Sequence, residues 1–92
     1  MMRKVRMNVQ GRVQGVGFRY MTKMAADDLE VTGTVRNEDD GSVSIEAFGT
    51  EENIDQFIQK VKDSPSPAGR VTYVDIQDDP LLEEYTTFRV TN

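Results

Sequence analysis

The chain contains no cysteine and no histidine. Without cysteine there is no disulfide framework and no thiolate nucleophile. Without histidine, the usual metal ligand and the usual general base near neutral pH are gone. A Ser-His-Asp triad, a phosphohistidine intermediate and a cysteine-phosphatase mechanism are all excluded. Any catalysis falls to Arg, Lys, Asp, Glu, Asn, Gln, Ser, Thr, Tyr or the backbone. No apolar run approaches the ~20 residues a membrane span requires, and the start MMRKVRMNVQ is charged throughout, with no apolar stretch of a secretory signal. These absences point to a cytoplasmic protein with no membrane partner. The acidic pairs Asp39-Asp40, Asp78-Asp79 and Glu83-Glu84 fall on expected turns and match no calcium-loop spacing, so no metal and no cofactor is expected.

What remains is 92 residues, the length of one domain spanning 1–92 with a modest core. Charge is unevenly spread. Residues 1–36 carry seven basic groups against three acids, and residues 37–92 carry four against thirteen, for a net charge of −5. Two readings fit: an unevenly charged surface, or a local anion site inside a field that repels polyanions. The second disfavours nucleic acid as a partner.

Periodicity supplies the elements. Residues 3–10 alternate, with Val5, Met7 and Val9 on one side, as a half-buried strand does. From 18 to 29 the period lengthens. Phe18, Met21, Ala25 and Leu29 recur at helical spacing with Met24 beside them, and Met7, Met21 and Met24 are expected in the core. A strand over 31–37, a turn at Asp40-Gly41 and a strand carrying Val43, Ile45 and Ala47 follow. Thr50 is a good N-cap, followed by Glu51 and Glu52. The stripe Ile54, Phe57, Ile58 and Val61 defines a second helix, with Lys60 and Lys62 in its last turn. SPSPAG is loop; 71–77 and 85–90 read as strands. The fold class is α+β: a ferredoxin-like βαββαβ sandwich, two helices on one face of an antiparallel sheet, with a short extra C-terminal strand. In that layout strands 1 and 2 are parallel with strand 3 between them. Loop 11–18 and Arg36-Asn37 then leave the sheet at the same edge, and the loop, Arg19 and Asn37 should converge.

The segment VQGVGFRYM carries the chemistry. Gly15 and Gly17 allow positive φ and close approach. They admit a plain strand-to-helix turn, or a nest of inward-pointing N–H groups that binds an anion. A helix starting near Phe18 adds free N–H groups and its dipole, which suit a phosphate. Arg19 would be an ordinary surface charge in the first case and a planar two-oxygen clamp in the second. The pattern GxxxxGK[ST] is absent, and Tyr20 stands where a dinucleotide fingerprint needs its third glycine. Asn37, just before an Asp-Gly turn, suits turn chemistry. It also suits a neutral amide that orients a water without repelling a phosphate.

The run Gly11-Arg12-Val13-Gln14-Gly15-Val16-Gly17-Phe18-Arg19 resembles the signature of the acylphosphatase family, and Asn37-Glu38-Asp39-Asp40-Gly41-Ser42-Val43 resembles its second motif, N-x-x-D-G-x-V. The resemblance extends over essentially the whole chain. It implies a metal-independent hydrolase that splits a small acyl phosphate into a carboxylate and inorganic phosphate. It also implies roles: the backbone from Gly15 through Val16 and Gly17 to Phe18 binds phosphate, Arg19 clamps it, and Asn37 orients the attacking water. Thr34 stands where many relatives have an aromatic residue, and Ser64-Pro65 where Gly-Pro is frequent; both departures bear on acyl-group preference. A cysteine found in some relatives at the Gly17 position is missing. Two other classes share parts of this pattern. An anion sensor would keep the nest but has no need of Asn37. An RNA-binding module needs sheet aromatics and a basic face, which the strand SVSIEAF and the net charge do not supply. A monomer is expected.

Overall fold

The computed structural model describes residues 1–92. In chain order the elements are β1 (Met2–Arg12), α1 (Phe18–Asp28), β2 (Thr32–Asn37), β3 (Val43–Thr50), α2 (Glu51–Lys62), β4 (Arg70–Asp78) and β5 (Phe88–Thr91). They form one five-stranded sheet in the order β4-β1-β3-β2-β5. β3 is antiparallel to both β1 and β2, so those two strands run parallel and end at the same edge. β4 is antiparallel to β1, while β5 adds to β2 in parallel, which makes the sheet mixed. The expected class and the extra strand are both present. The final strand starts at Phe88 rather than at residue 85, because the Tyr85 hydroxyl turns to the Glu46 carboxylate and its carbonyl accepts from Thr32 Oγ1.

One face of the sheet buries the core. Val5, Met7 and Val9 of β1, Val35 of β2, and Val43, Ile45 and Ala47 of β3 all point to it. The strict alternation follows from the two-residue period of a strand. α2 closes this core with Ile54, Phe57 and Val61 fully buried, and Phe57 meets Phe88 edge to face with ring centroids 5.9 Å apart. Its start follows the expected capping: Thr50 Oγ1 accepts from the Asn53 N–H at 3.2 Å.

α1 departs from the expected stripe. Its buried residues are Phe18, Thr22 and Ala26, not Met21 and Ala25, and Met24 is 45% exposed. Apolar periodicity missed the true face because a threonine occupies its middle. The Thr22 hydroxyl is buried with no hydrogen-bond partner in the protein.

Candidate functional site

β1 and β2 end side by side, so the segment after β1 and the last residue of β2 meet. Val13, Gly15, Gly17, Phe18, Arg19, Tyr20, Asn37 and Val90 line a single hollow of about 200 Å³. The proposed catalytic pair, Arg19 and Asn37, and three of the four expected loop residues therefore share one site. Val16 is on the same loop but does not line the hollow. Its side chain packs on the core, and its carbonyl accepts from Ser66 Oγ at 2.6 Å.

Gly15 and Gly17 both sit at φ 75°, with open space where a Cβ would lie. Glycine is demanded there by backbone conformation, since L-residues take that region only at a cost of roughly 1–2 kcal/mol. Gly17 is the N-cap of α1. It offers no side-chain cap, and the first turn carries no acid. The other helix is the internal control: α2 has the Thr50 cap and both Glu51 and Glu52 in its first turn. Protein groups thus neutralise the positive end of α2 and leave that of α1 unopposed. None of the turn and loop hydrogen bonds uses a backbone N–H from Gly15 to Arg19 as donor.

The two side chains differ in what holds them. Arg19 has no carboxylate side chain within ion-pair distance, unlike Arg3, Arg6 and Arg36. Its Nη1 donates to the Asn92 main-chain oxygen at 2.8 Å and to the Thr91 carbonyl at 3.3 Å, and its other nitrogens donate to no protein group. Asn92 also donates from Nδ2 to the Asn37 carbonyl at 3.3 Å, so one residue touches both catalytic candidates. Asn37 Oδ1 is buried, and no protein group donates to it. A buried carbonyl oxygen is normally paired; this one belongs to a residue that lines a hollow beside free N–H groups.

Gln14 joins the loop to the Asn37 segment. Its Nε2 donates to the Glu38 and Ser42 carbonyls, both at 2.9 Å. Those carbonyls bracket the turn after Asn37, which Glu38 N–H closes onto the Ser42 carbonyl at 2.8 Å. Asp40 braces the turn from within by accepting from the Ser42 hydroxyl at 2.6 Å and from the Ser42 N–H at 2.9 Å. These two bonds, the hydroxyl's first, hold the Asp40 carboxyl below the ordinary carboxylate range.

Taken together, two positive-φ glycines, an uncapped helix start, an arginine with no carboxylate side chain beside it and an orphaned amide oxygen surround one small hollow. A family model for acylphosphatase matches residues 5–90. The chain belongs to the acylphosphatase family. An acylphosphatase of Enterococcus faecalis is 75% identical, with 97% of this chain and 98% of that protein covered. The solved acylphosphatase of Bacillus subtilis superposes with a TM-score of 0.93 at 40% identity over the full length of both chains. That of Coxiella burnetii gives 0.91 at 30% identity, covering 98% of this chain and 93% of the other. As an acylphosphatase the chain is a hydrolase of acid anhydrides, acting on acyl phosphates. No helix is long and apolar enough to cross a membrane.

The family departures fall in distinct places. Thr34 lies on the opposite face of the sheet from the hollow, in a polar groove with Glu46 and Tyr85. Burial there, with the bond to Glu46 second, pushes the Tyr85 hydroxyl up to about 12. Ser64 follows the end of α2 at φ 62°, a left-handed position that glycine fills without strain. Several residues at the site carry no role in the sequence reading, Asn92 among them. Gln14 lay inside the signature, where its polar side chain amid glycines and valines was the available signal. Val90 and Ser66 come from distant segments with no local mark.

Proposed function

We propose that the hollow holds the phosphoryl group of the acyl phosphate and that hydrolysis proceeds by direct in-line attack of water. The N–H groups of Gly15, Val16, Gly17, Phe18 and Arg19, with the α1 dipole, take the phosphoryl oxygens. The Arg19 guanidinium adds a fixed positive fork over them. Asn37 Oδ1 accepts a hydrogen bond from the attacking water. The water oxygen forms a bond to phosphorus as the bond from phosphorus to the acyl oxygen breaks. The carboxylate leaves with the electron pair.

The buried, unpaired Asn37 oxygen beside an uncapped helix N-terminus carries this reading. One feature attracts an anion and the other needs a donor, so a phosphate and a water together satisfy both. The chemistry suits a chain without histidine. A carboxylate is a good leaving group that needs no general acid, and a loose phosphoryl-transfer transition state asks little of a base. Positioning and preorganised donors can then supply most of the rate.

The test is release of phosphate from benzoyl and acetyl phosphate in excess EDTA, with wild type, Arg19→Ala and Asn37→Ala compared. Wild type should turn over and both variants should be slowed about 10²–10³-fold. Equal, slow rates for all three would remove both residues from the reaction. Phosphate binding by wild type without turnover would leave only an anion sensor.

A further inference from the structure

The loop that carries the amides is braced by a residue fifty positions further along the chain. Ser66 lies between α2 and β4 and is only 2% exposed. Its own backbone is fixed, since its carbonyl accepts from Ser64 Oγ at 2.8 Å and from the Gly69 N–H at 3.0 Å. From this post its hydroxyl donates to the Val16 carbonyl at 2.6 Å.

That bond has a consequence for the next residue. No peptide in the chain is cis, and in a planar trans peptide the C=O of one residue and the N–H of the next point in opposite directions. Drawing the Val16 carbonyl toward Ser66 therefore turns the Gly17 N–H away from Ser66. Gly17 lines the hollow, and its N–H donates to no protein acceptor. A peptide preceding glycine is otherwise easy to flip, because glycine accepts φ of either sign. The glycine that allows this loop also leaves it free to invert, and the serine removes that freedom.

We propose that Ser66 is a positioning residue: its hydroxyl locks the Val16–Gly17 peptide so that the Gly17 N–H faces the phosphoryl site. This rests on the phosphate-cradle reading above. The test follows backbone amides by 1H–15N correlation while inorganic phosphate is added to wild type, Ser66→Ala and Ser66→Thr, with kcat, KM and phosphate inhibition measured alongside. In wild type the Gly17 amide should move with those of Gly15 and Arg19. In Ser66→Ala the Gly17 response should be lost while the others persist, with phosphate inhibition and kcat/KM each weakened about tenfold. Ser66→Thr keeps the hydroxyl and should keep the response. Ser66→Cys retains the buried volume with a far weaker donor, and carries the comparison if the alanine variant is not folded. A lowered melting temperature with an unchanged Gly17 response and unchanged phosphate inhibition would make Ser66 a structural residue only and overturn the proposal. An absence of any phosphate response from residues 15–19 in wild type would overturn the cradle as well.

Discussion

Replacing Asn37 by alanine should separate activity from stability. An unpaired buried acceptor costs the native state about 1–3 kcal/mol when nothing donates to it, and less when a water does. Asn37 Oδ1 has no protein donor, and the contact that Asn92 makes reaches the Asn37 main-chain carbonyl, which alanine retains. The β2–β3 register also runs through the backbone of residue 37, paired with Val43. Truncation thus removes no protein–protein hydrogen bond of the side chain and relieves one orphaned oxygen. Small packing losses offset part of that gain. The expected change is between zero and about 1 kcal/mol of added stability, which corresponds to roughly 0–8 °C in Tm for a domain of this size. The rate should move the other way. Loss of a group that orients the nucleophile should lower kcat about 10²–10³-fold, or about 2.7–4 kcal/mol, with little change in KM. Urea unfolding and thermal melts give the first quantity, and steady-state hydrolysis of benzoyl phosphate the second. A variant destabilised by more than about 1 kcal/mol would mean that the side chain is structurally engaged after all. A variant of wild-type stability and wild-type kcat would refute the assigned role outright.

Four further outcomes are expected. Arg19→Lys keeps the charge but not the planar fork, so phosphate should bind measurably while kcat/KM falls well below wild type, as steady-state kinetics would register. Gln14→Met removes two hydrogen bonds whose carbonyls keep other donors, so urea denaturation should show a loss of about 1–3 kcal/mol. Thr22→Val removes a buried hydroxyl without a partner and should add about 1 kcal/mol to stability, read as a higher Tm with activity unchanged. Asp40 has a folded-state pKa below its unfolded value of about 3.9, so its contribution is present above that pH and disappears as pH falls through the lower folded value. Wild type should therefore exceed Asp40→Asn in stability at neutral pH, and acid titration should bring the two together below about pH 4.

Several parts of this molecule follow from local chemistry alone. Alternation placed β1 and β3, and the Thr50 cap with its two glutamates placed the start of α2. The spacing of Gly15, Gly17 and Arg19 marked the loop, because only certain residues tolerate positive φ and only one side chain has a guanidinium fork. The strand order even brought Asn37 to that loop, since a strand antiparallel to two neighbours makes them parallel. The α1 face was not legible, because periodicity counts apolar residues and Thr22 is a polar residue in the core.

Residue types and their order determined the helices, the strands and the glycine loop before α1, which depend on interactions short along the chain. Tertiary structure alone decided the rest: that Arg19 meets main-chain oxygens of Thr91 and Asn92 rather than an acidic side chain, that Gln14 reaches the Asn37 turn, and that Ser66 meets Val16 across fifty residues of sequence. Such contacts depend on which surfaces are pressed together once the core closes. A hydroxyl in a proline-rich loop has no local pattern to announce its eventual partner.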